Sequence, residues 1–218
     1  MASEPAGSVF PLKNRMVAVT GGIATGKSRV ARYLAERSGA LLLDADAVCR
    51  ALQQPGEPGW QGLRNLLGAA FFLPDGGLDR PLLRQHLFAD AELRGRVEAL
   101  LHPLVREALA REARSLVATG GCHRLLVEVP LLFEAGWQDD YAQVVVVAAE
   151  MMVCVERLMA RDRVSREAAR RAIASQMPLL EKKRRADFVI DNSGAWEETC
   201  RQLEALLPFL WATFEKKL

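Results

Sequence analysis

The chain is 218 residues long with a net charge of +2; half of its residues are hydrophobic and 6% are aromatic. That size suits one α/β domain with room for a small helical insertion, and the apolar content can bury a sizeable core, which excludes a largely disordered chain. A charge so small gives no ground by itself for a nucleic-acid or anionic-membrane surface, and the few aromatics do not alternate with basic residues as a base-stacking surface requires.

Residues 1–15 carry Pro5, Gly7 and Pro11 and read as a loose extension, since a secretory signal needs an apolar run of about 7–15 residues. Residues 16–20 form a short, β-branched apolar run that stops at Gly21-Gly22, the pattern of a buried parallel strand. A helical pattern follows over 27–37, then a second buried strand over 40–44. From 45 to 119 the pattern is mostly helical, cut by the turn clusters Pro55-Gly56-Glu57-Pro58-Gly59 and Pro74-Asp75-Gly76-Gly77. So long a crossover predicts an inserted helical subdomain, about 50–119. Strands are predicted over 124–129, 143–148 and 188–191, and an amphipathic helix over 150–161. Residues 165–185 are helical and basic, broken at Pro178, and a last helix runs from Trp196 to the C-terminus.

Five strands alternating with helices predict a parallel sheet covered on both faces, with ligands beyond the carboxyl ends of the strands. The longest apolar run, 144–149, falls far short of the ~20 residues that span a bilayer. Cys49, Cys122, Cys154 and Cys200 are widely separated, with no C-x-x-C pair. Such spacing offers neither a zinc knuckle nor a compact disulfide framework and fits a reducing compartment, so a cytoplasmic protein is expected.

Gly21-Gly22-Ile23-Ala24-Thr25-Gly26-Lys27-Ser28 matches G-x-x-x-x-G-K-[ST] between a strand and a helix. Glycine lets the backbone curl until its N–H groups face phosphate oxygens, and the helix N-terminus adds positive potential. Lys27 is placed to reach the β- and γ-phosphates of ATP, and the Ser28 hydroxyl to ligate Mg²⁺. The loop specifies a nucleoside triphosphate rather than a reaction. No N-K-x-D for guanine is present, and the third strand ends in Glu128 rather than the Asp usual in ATPases, which favours a kinase.

Asp44 and Asp46 stand where the second strand leaves the sheet. Phosphoryl transfer to an alcohol needs one carboxylate to orient the hydroxyl and take its proton, and a second can hold Mg²⁺; helix capping is the bland alternative. Residues 156–185 carry ten Arg or Lys against four acids, a concentration suited to a lid over the transferring phosphoryl group. Arg157 and Arg161 lie one turn apart on a common helix face. His102 precedes Pro103 at a possible helix start; His86, His123 and the four cysteines read as structural.

In order, these pieces resemble the dephospho-coenzyme A kinase family over residues 16–207. The likeness rests on Val19-Thr20-Gly21-Gly22-Ile23, Asp44-Ala45-Asp46, Leu101-His102-Pro103 and Val129-Pro130-Leu131-Leu132-Phe133-Glu134. It continues through residues 157–161, Ser175-Gln176 and Ala186-Asp187-Phe188-Val189-Ile190-Asp191-Asn192-Ser193-Gly194. The resemblance implies ATP- and Mg²⁺-dependent phosphorylation of the ribose 3′-hydroxyl of dephospho-CoA, in a three-layer P-loop NTPase fold. That fold would comprise a core (16–44, 120–150 and 187–218), a helical CoA-binding insertion and a basic lid of about 157–186.

By carry-over, Asp46 is the base and a metal ligand, and Lys27 and Arg161 act at the phosphoryl group. Gly22 through Arg29 and Asn192 line the ATP site, and Asp44, His102 and Arg157 face substrate. Ala24 stands where Gly is usual and Arg29 where Thr is usual. No nucleic-acid or membrane partner is expected, and the assembly is a monomer or small homo-oligomer. The rival readings are another small-metabolite or nucleoside kinase, a non-catalytic ATP-binding regulator, and an RNA binder using the basic segment.

Overall fold

The computed structural model describes residues 12–120 and 124–211, so Cys122 and His123 lie outside the described residues. Five parallel strands form one sheet in the order β2-β3-β1-β4-β5. They are β1 (Met16–Gly21), β2 (Leu41–Asp44), β3 (Leu125–Glu128), β4 (Gln143–Ala148) and β5 (Phe188–Asp191). β1 is central, between β3 and β4, and buried along its whole length. The continuous Met-Val-Ala-Val-Thr run follows from this: a strand covered on both faces has no polar side to show. The edge strand β5 instead alternates, with Ile190 buried and Val189 exposed.

Helices α1 (Lys27–Ser38) and α9 (Trp196–Leu206) cover one face. Val30, Leu34 and Leu203 pack in one cluster with Val17, Val19, Val145, Val147 and Ile190. Full burial of each such side chain contributes about 1.5–3 kcal/mol. The last helix ends at Leu206 rather than continuing, because Pro208 cannot extend it and a short 3₁₀ turn, Leu207–Phe209, takes over. Residues 212–218, where a longer helix was expected, lie outside the described residues.

The chain divides into two compact units: residues 45–112, and the remainder. The smaller unit contains α2 (Ala45–Leu52), α3 (Pro58–Leu67), α4 (Arg80–Ala89) and most of α5 (Ala91–Gly120). Leu63, Leu78, Leu83, Val97 and Leu101 form its core. The Pro74–Gly77 cluster makes a tight turn, with the Leu73 N–H donating to Gly77 O at 2.8 Å and Trp60 Nε1–H to Gly76 O at 2.7 Å. Pro103 does not start a helix as its position suggests: α5 runs through it. An internal proline costs about 3 kcal/mol in helix propensity, which burial of Val97, Leu101, Val105 and Leu109 along the same helix offsets.

In the larger unit, α6 (Met151–Asp162), α7 (Arg166–Ala174) and α8 (Leu179–Arg184) follow β4. Ser165 starts α7, its hydroxyl accepting the Ala168 N–H at 3.2 Å. Residues 175–178, ending in Pro178, separate α7 from α8, as the proline leads one to expect. Among the described residues no helix is long and apolar enough to cross a membrane.

Candidate active site

The loop between β1 and α1 is shaped by close contacts that only glycine permits. A Cβ on Gly21 would collide with the Val147 carbonyl oxygen of β4 and lie 2.8 Å from Thr25 Oγ1. Gly26 has φ +89° and is pressed against the Asn192 side-chain amide. Thr25, almost wholly buried, donates its hydroxyl to Gly22 O at 3.0 Å and ties the two sides of the loop together. No side chain caps the start of α1 and no acid stands in its first turn, which leaves the helix N-terminus electropositive.

Asn192, on the segment leaving β5, is buried beneath the loop. Its Nδ2 donates to Thr25 O at 2.7 Å and its Oδ1 accepts the Thr199 hydroxyl at 2.9 Å. Asn192, expected at the ATP site, lies against the loop as a clamp, its amide bonded to Thr25 and Thr199.

Ala24 adopts φ +61°. This left-handed conformation costs a non-glycine residue roughly 1–2 kcal/mol. The methyl group has a use: Ile23 and Ala24 pack against the cluster of Val155, Leu158 and Ala169 from α6 and α7. The apex of the loop therefore belongs to the apolar core of the basic segment.

Ser28 Oγ donates to Glu128 Oε1 at 2.6 Å. Glu128 ends β3 with only 6% of its surface exposed, and in the sheet register it stands opposite both Val19 of β1 and Asp44 of β2. Neighbouring strands run ≈ 4.8 Å apart, so Asp44 and Glu128 bring two carboxylates to adjacent strand ends, one of them on the serine hydroxyl. Glu128 was legible as an unusual strand end but not as a site residue; its bond to Ser28 depends on strand order and register. Asp46 lies two residues beyond Asp44, in the first turn of α2.

The basic segment resolves into side chains with different surroundings. Arg157 Nη1 is buried without a hydrogen-bond partner among the described residues, 4.0 Å from where a Cβ of Gly26 would sit. Arg161, its neighbour one turn on, is 60% exposed and forks onto Asp162 at 2.7 and 3.0 Å. The Asp162 carboxylate holds the Arg161 pKa above its ordinary value. Arg29 is exposed and lays its guanidinium over the Trp196 ring at 3.7 Å. Lys182, inside the most basic run, is wholly buried and ion-paired to Glu134 at 2.8 Å. It is a structural cation, which charge counting along the sequence could not separate from its solvated neighbours.

His102 lies within α5, and burial lowers its pKa against a smaller raising effect of Glu98. His86 packs edge-on to Phe71 at 5.0 Å. Cys49, Cys154 and Cys200 are free thiols. Burial is the main cause that raises the pKa of Cys49 and of Cys154. Among the described residues no group of three or more His, Cys, Asp or Glu forms a ready cation cage.

The family model for dephospho-CoA kinase matches residues 15–198. A dephospho-CoA kinase of Anaeromyxobacter dehalogenans (strain 2CP-C) is 44% identical over 194 residues, covering 88% of this chain and 90% of that protein. A crystal structure from Thermus thermophilus superposes with a TM-score of 0.74 at 35% identity, over 89% of this chain and 97% of the other. A dephospho-CoA kinase from Campylobacter jejuni has the same fold, with a TM-score of 0.63 at 24% identity, over 90% and 97% of the two chains.

Proposed function

This chain belongs to the dephospho-CoA kinase family, and we propose that it transfers the γ-phosphoryl group of ATP to the ribose 3′-hydroxyl of dephospho-CoA, giving coenzyme A and ADP. The observation that carries this function is the family match over residues 15–198, which takes in the phosphate loop and the Asp44-Ala45-Asp46 segment together.

Each residue has an assigned task. The N–H groups of the loop and the first turn of α1 cradle the β- and γ-phosphates, with Lys27 neutralising charge on the transferring group. Arg157 is expected on the substrate side, but its buried Nη1, beside Gly26 and without a partner among the described residues, favours a second cation on the ATP side instead. Arg29 walls the exit from the first turn of α1 through its stack on Trp196. Arg161 leaves Asp162 to meet the phosphoryl oxygens as charge spreads over them. Asp46 orients the ribose hydroxyl and accepts its proton late in the transfer, with Asp44 and His102 on the acceptor side.

Mg²⁺ fits the donor set, since Ser28 Oγ and Glu128 Oε1 already meet at 2.6 Å and magnesium usually takes one or two protein oxygens beside phosphates and water. Ser28, Glu128 and Asp46 would hold the ion, which would supply positive charge to offset that of the phosphates. The three free thiols among the described residues and the ATP cosubstrate suit the cytoplasm.

The test is ATP and Mg²⁺ with dephospho-CoA, adenosine, AMP and gluconate, the product being analysed by mass and by position of the phosphate. Dephospho-CoA is expected to win on kcat/KM, with phosphate on the 3′ position. Preference for adenosine or gluconate would refute the substrate assignment.

A further inference from the structure

The four residues between α7 and α8, 175–178, contain a side chain for which charge and catalysis give no account. Gln176 extends to the phosphate loop, where its Oε1 accepts the N–H of Ile23 at 3.0 Å. An N–H can be met only by the carbonyl end of the amide, so the orientation of Gln176 is fixed by the loop itself.

Gln176 is in turn held from behind. The next N–H, that of Met177, donates to Glu134 Oε1 at 3.1 Å. The same oxygen receives the ammonium of buried Lys182 at 2.8 Å. Lys182 Nζ also lies 3.5 Å from Pro130 O, the carbonyl that accepts the Thr20 hydroxyl at 3.4 Å. The bonds thus run from the end of β1, through the segment after β3 and α8, to Gln176 and back to the third residue of the loop.

We infer that Gln176 is a positioning residue for ATP: it fixes the Ile23 peptide so that the N–H groups that follow turn toward the phosphates. The inference rests on the loop being the ATP site, as proposed above. A neutral acceptor is what this place requires. A carboxylate of the same length would hold Ile23 equally well but would stand beside the site of a polyanion, where like charges repel. Asn192 does the corresponding work at the other end of the loop, again with a neutral amide, by donating to Thr25 O at 2.7 Å. Between them, two amides fix the loop from opposite sides without adding charge to it.

The experiment compares ATP and dephospho-CoA binding to the full chain and to the Gln176→Leu and Gln176→Glu variants, by isothermal titration between pH 5 and pH 8, with thermal melting alongside. Gln176→Leu removes the acceptor and should raise the Kd for ATP about tenfold, the equivalent of ~1.4 kcal/mol, toward the lower end of the cost of leaving a donor unsatisfied because this one is only part-buried. The Kd for dephospho-CoA should stay within about threefold, as no acceptor contact is lost. Gln176→Glu should bind ATP weakly at pH 8 and gain affinity as the pH falls toward 5, because repulsion from the polyanion raises the pKa of its carboxyl and favours the protonated form. A merely structural role would move neither the ligand split nor this pH profile.

An unchanged Kd for ATP in Gln176→Leu, or an equal loss for both ligands, overturns the inference. If Gln176→Leu fails to fold, Gln176→Glu decides alone, and an ATP affinity in it that follows the unmutated protein at every pH overturns the inference. Failure of the unmutated chain to bind ATP would instead refute the ATP site.

Discussion

Glu134 and Lys182 form an ion pair whose two members are unequally buried, and that inequality fixes the order in which substitutions should destabilise the protein. The Lys182 side chain is 0% exposed and that of Glu134 is 23% exposed, with the charges 2.8 Å apart. In Glu134→Met, the ammonium is left in the interior with Pro130 O at 3.5 Å as its remaining acceptor among the described residues. Removing one partner of a buried pair costs about 3–5 kcal/mol, a large part of the roughly 5–15 kcal/mol that holds a domain folded. In Lys182→Met, the thioether chain fills the space of the lysine stem. The orphaned carboxylate still reaches water and still accepts the Met177 N–H. The loss should then be near that of one charged hydrogen bond, about 1.5–3 kcal/mol. The double substitution removes both charges and should be more stable than Glu134→Met alone, because buried pairs replaced by apolar groups are often neutral. Urea unfolding at 25 °C and neutral pH, extrapolated to water, measures all three. A cost for Lys182→Met equal to or above that for Glu134→Met, or strict additivity in the double variant, would refute this account.

Lys27→Ala should lower kcat by roughly 10²–10³-fold, the cost of losing one preorganised electrostatic donor, and near-normal turnover in a folded variant would remove Lys27 from the chemistry. Asp46→Asn should leave the Kd for ATP within about threefold and reduce kcat by ~10²–10⁴-fold; should Asp44→Asn abolish turnover while Asp46→Asn spares it, the two roles are exchanged. Arg161→Ala should lower kcat more than it weakens ATP binding, whereas Arg157→Ala should act mainly on ATP affinity, and steady-state kinetics with ATP titration separates the two. His102 has its folded pKa lowered by burial, so the unfolded chain binds the proton more readily. The stabilising contribution is therefore present above the unfolded value of about 6.5 and is lost as pH falls below it; His102→Gln should flatten that acid-side loss in thermal melts from pH 5 to 8.

What was legible in the sequence is what local pattern controls. The five strands were visible as short apolar runs, although β2, expected to be buried, is an edge strand with Leu41 exposed; the phosphate loop was visible as glycines in register with a strand and a helix. The break between α7 and α8 was visible at Pro178. Properties that depend on strand order or on depth were not. Glu128 reaches the phosphate loop because β3 lies beside β1 and delivers its last residue to Ser28. Lys182 resembles Lys183 in composition and differs only in being enclosed. Pro103 resembles a helix start by propensity, which carries no information on the burial that holds α5 continuous through it. Asn192 was placed at the ATP site, while its engagement with Thr25 and Thr199 required the tertiary fold.

The packing also limits how the basic segment can move. Ile23 and Ala24 share one apolar cluster with Val155, Leu158 and Ala169. Swinging α6 and α7 away from the phosphate loop as a body would expose that cluster, at about 25 cal/mol for each Å² uncovered, and would break the bond from Ile23 to Gln176. Motions that preserve these contacts are far cheaper: rotation of the exposed Arg161 away from Asp162 breaks a surface pair worth about 0–1 kcal/mol. Ala24 fits the same logic. A glycine there would relax the φ of +61° but would forfeit the methyl that joins the loop to the helices. The strain of the left-handed residue is thus the local cost of a loop that stays docked on the helices bearing Arg157 and Arg161.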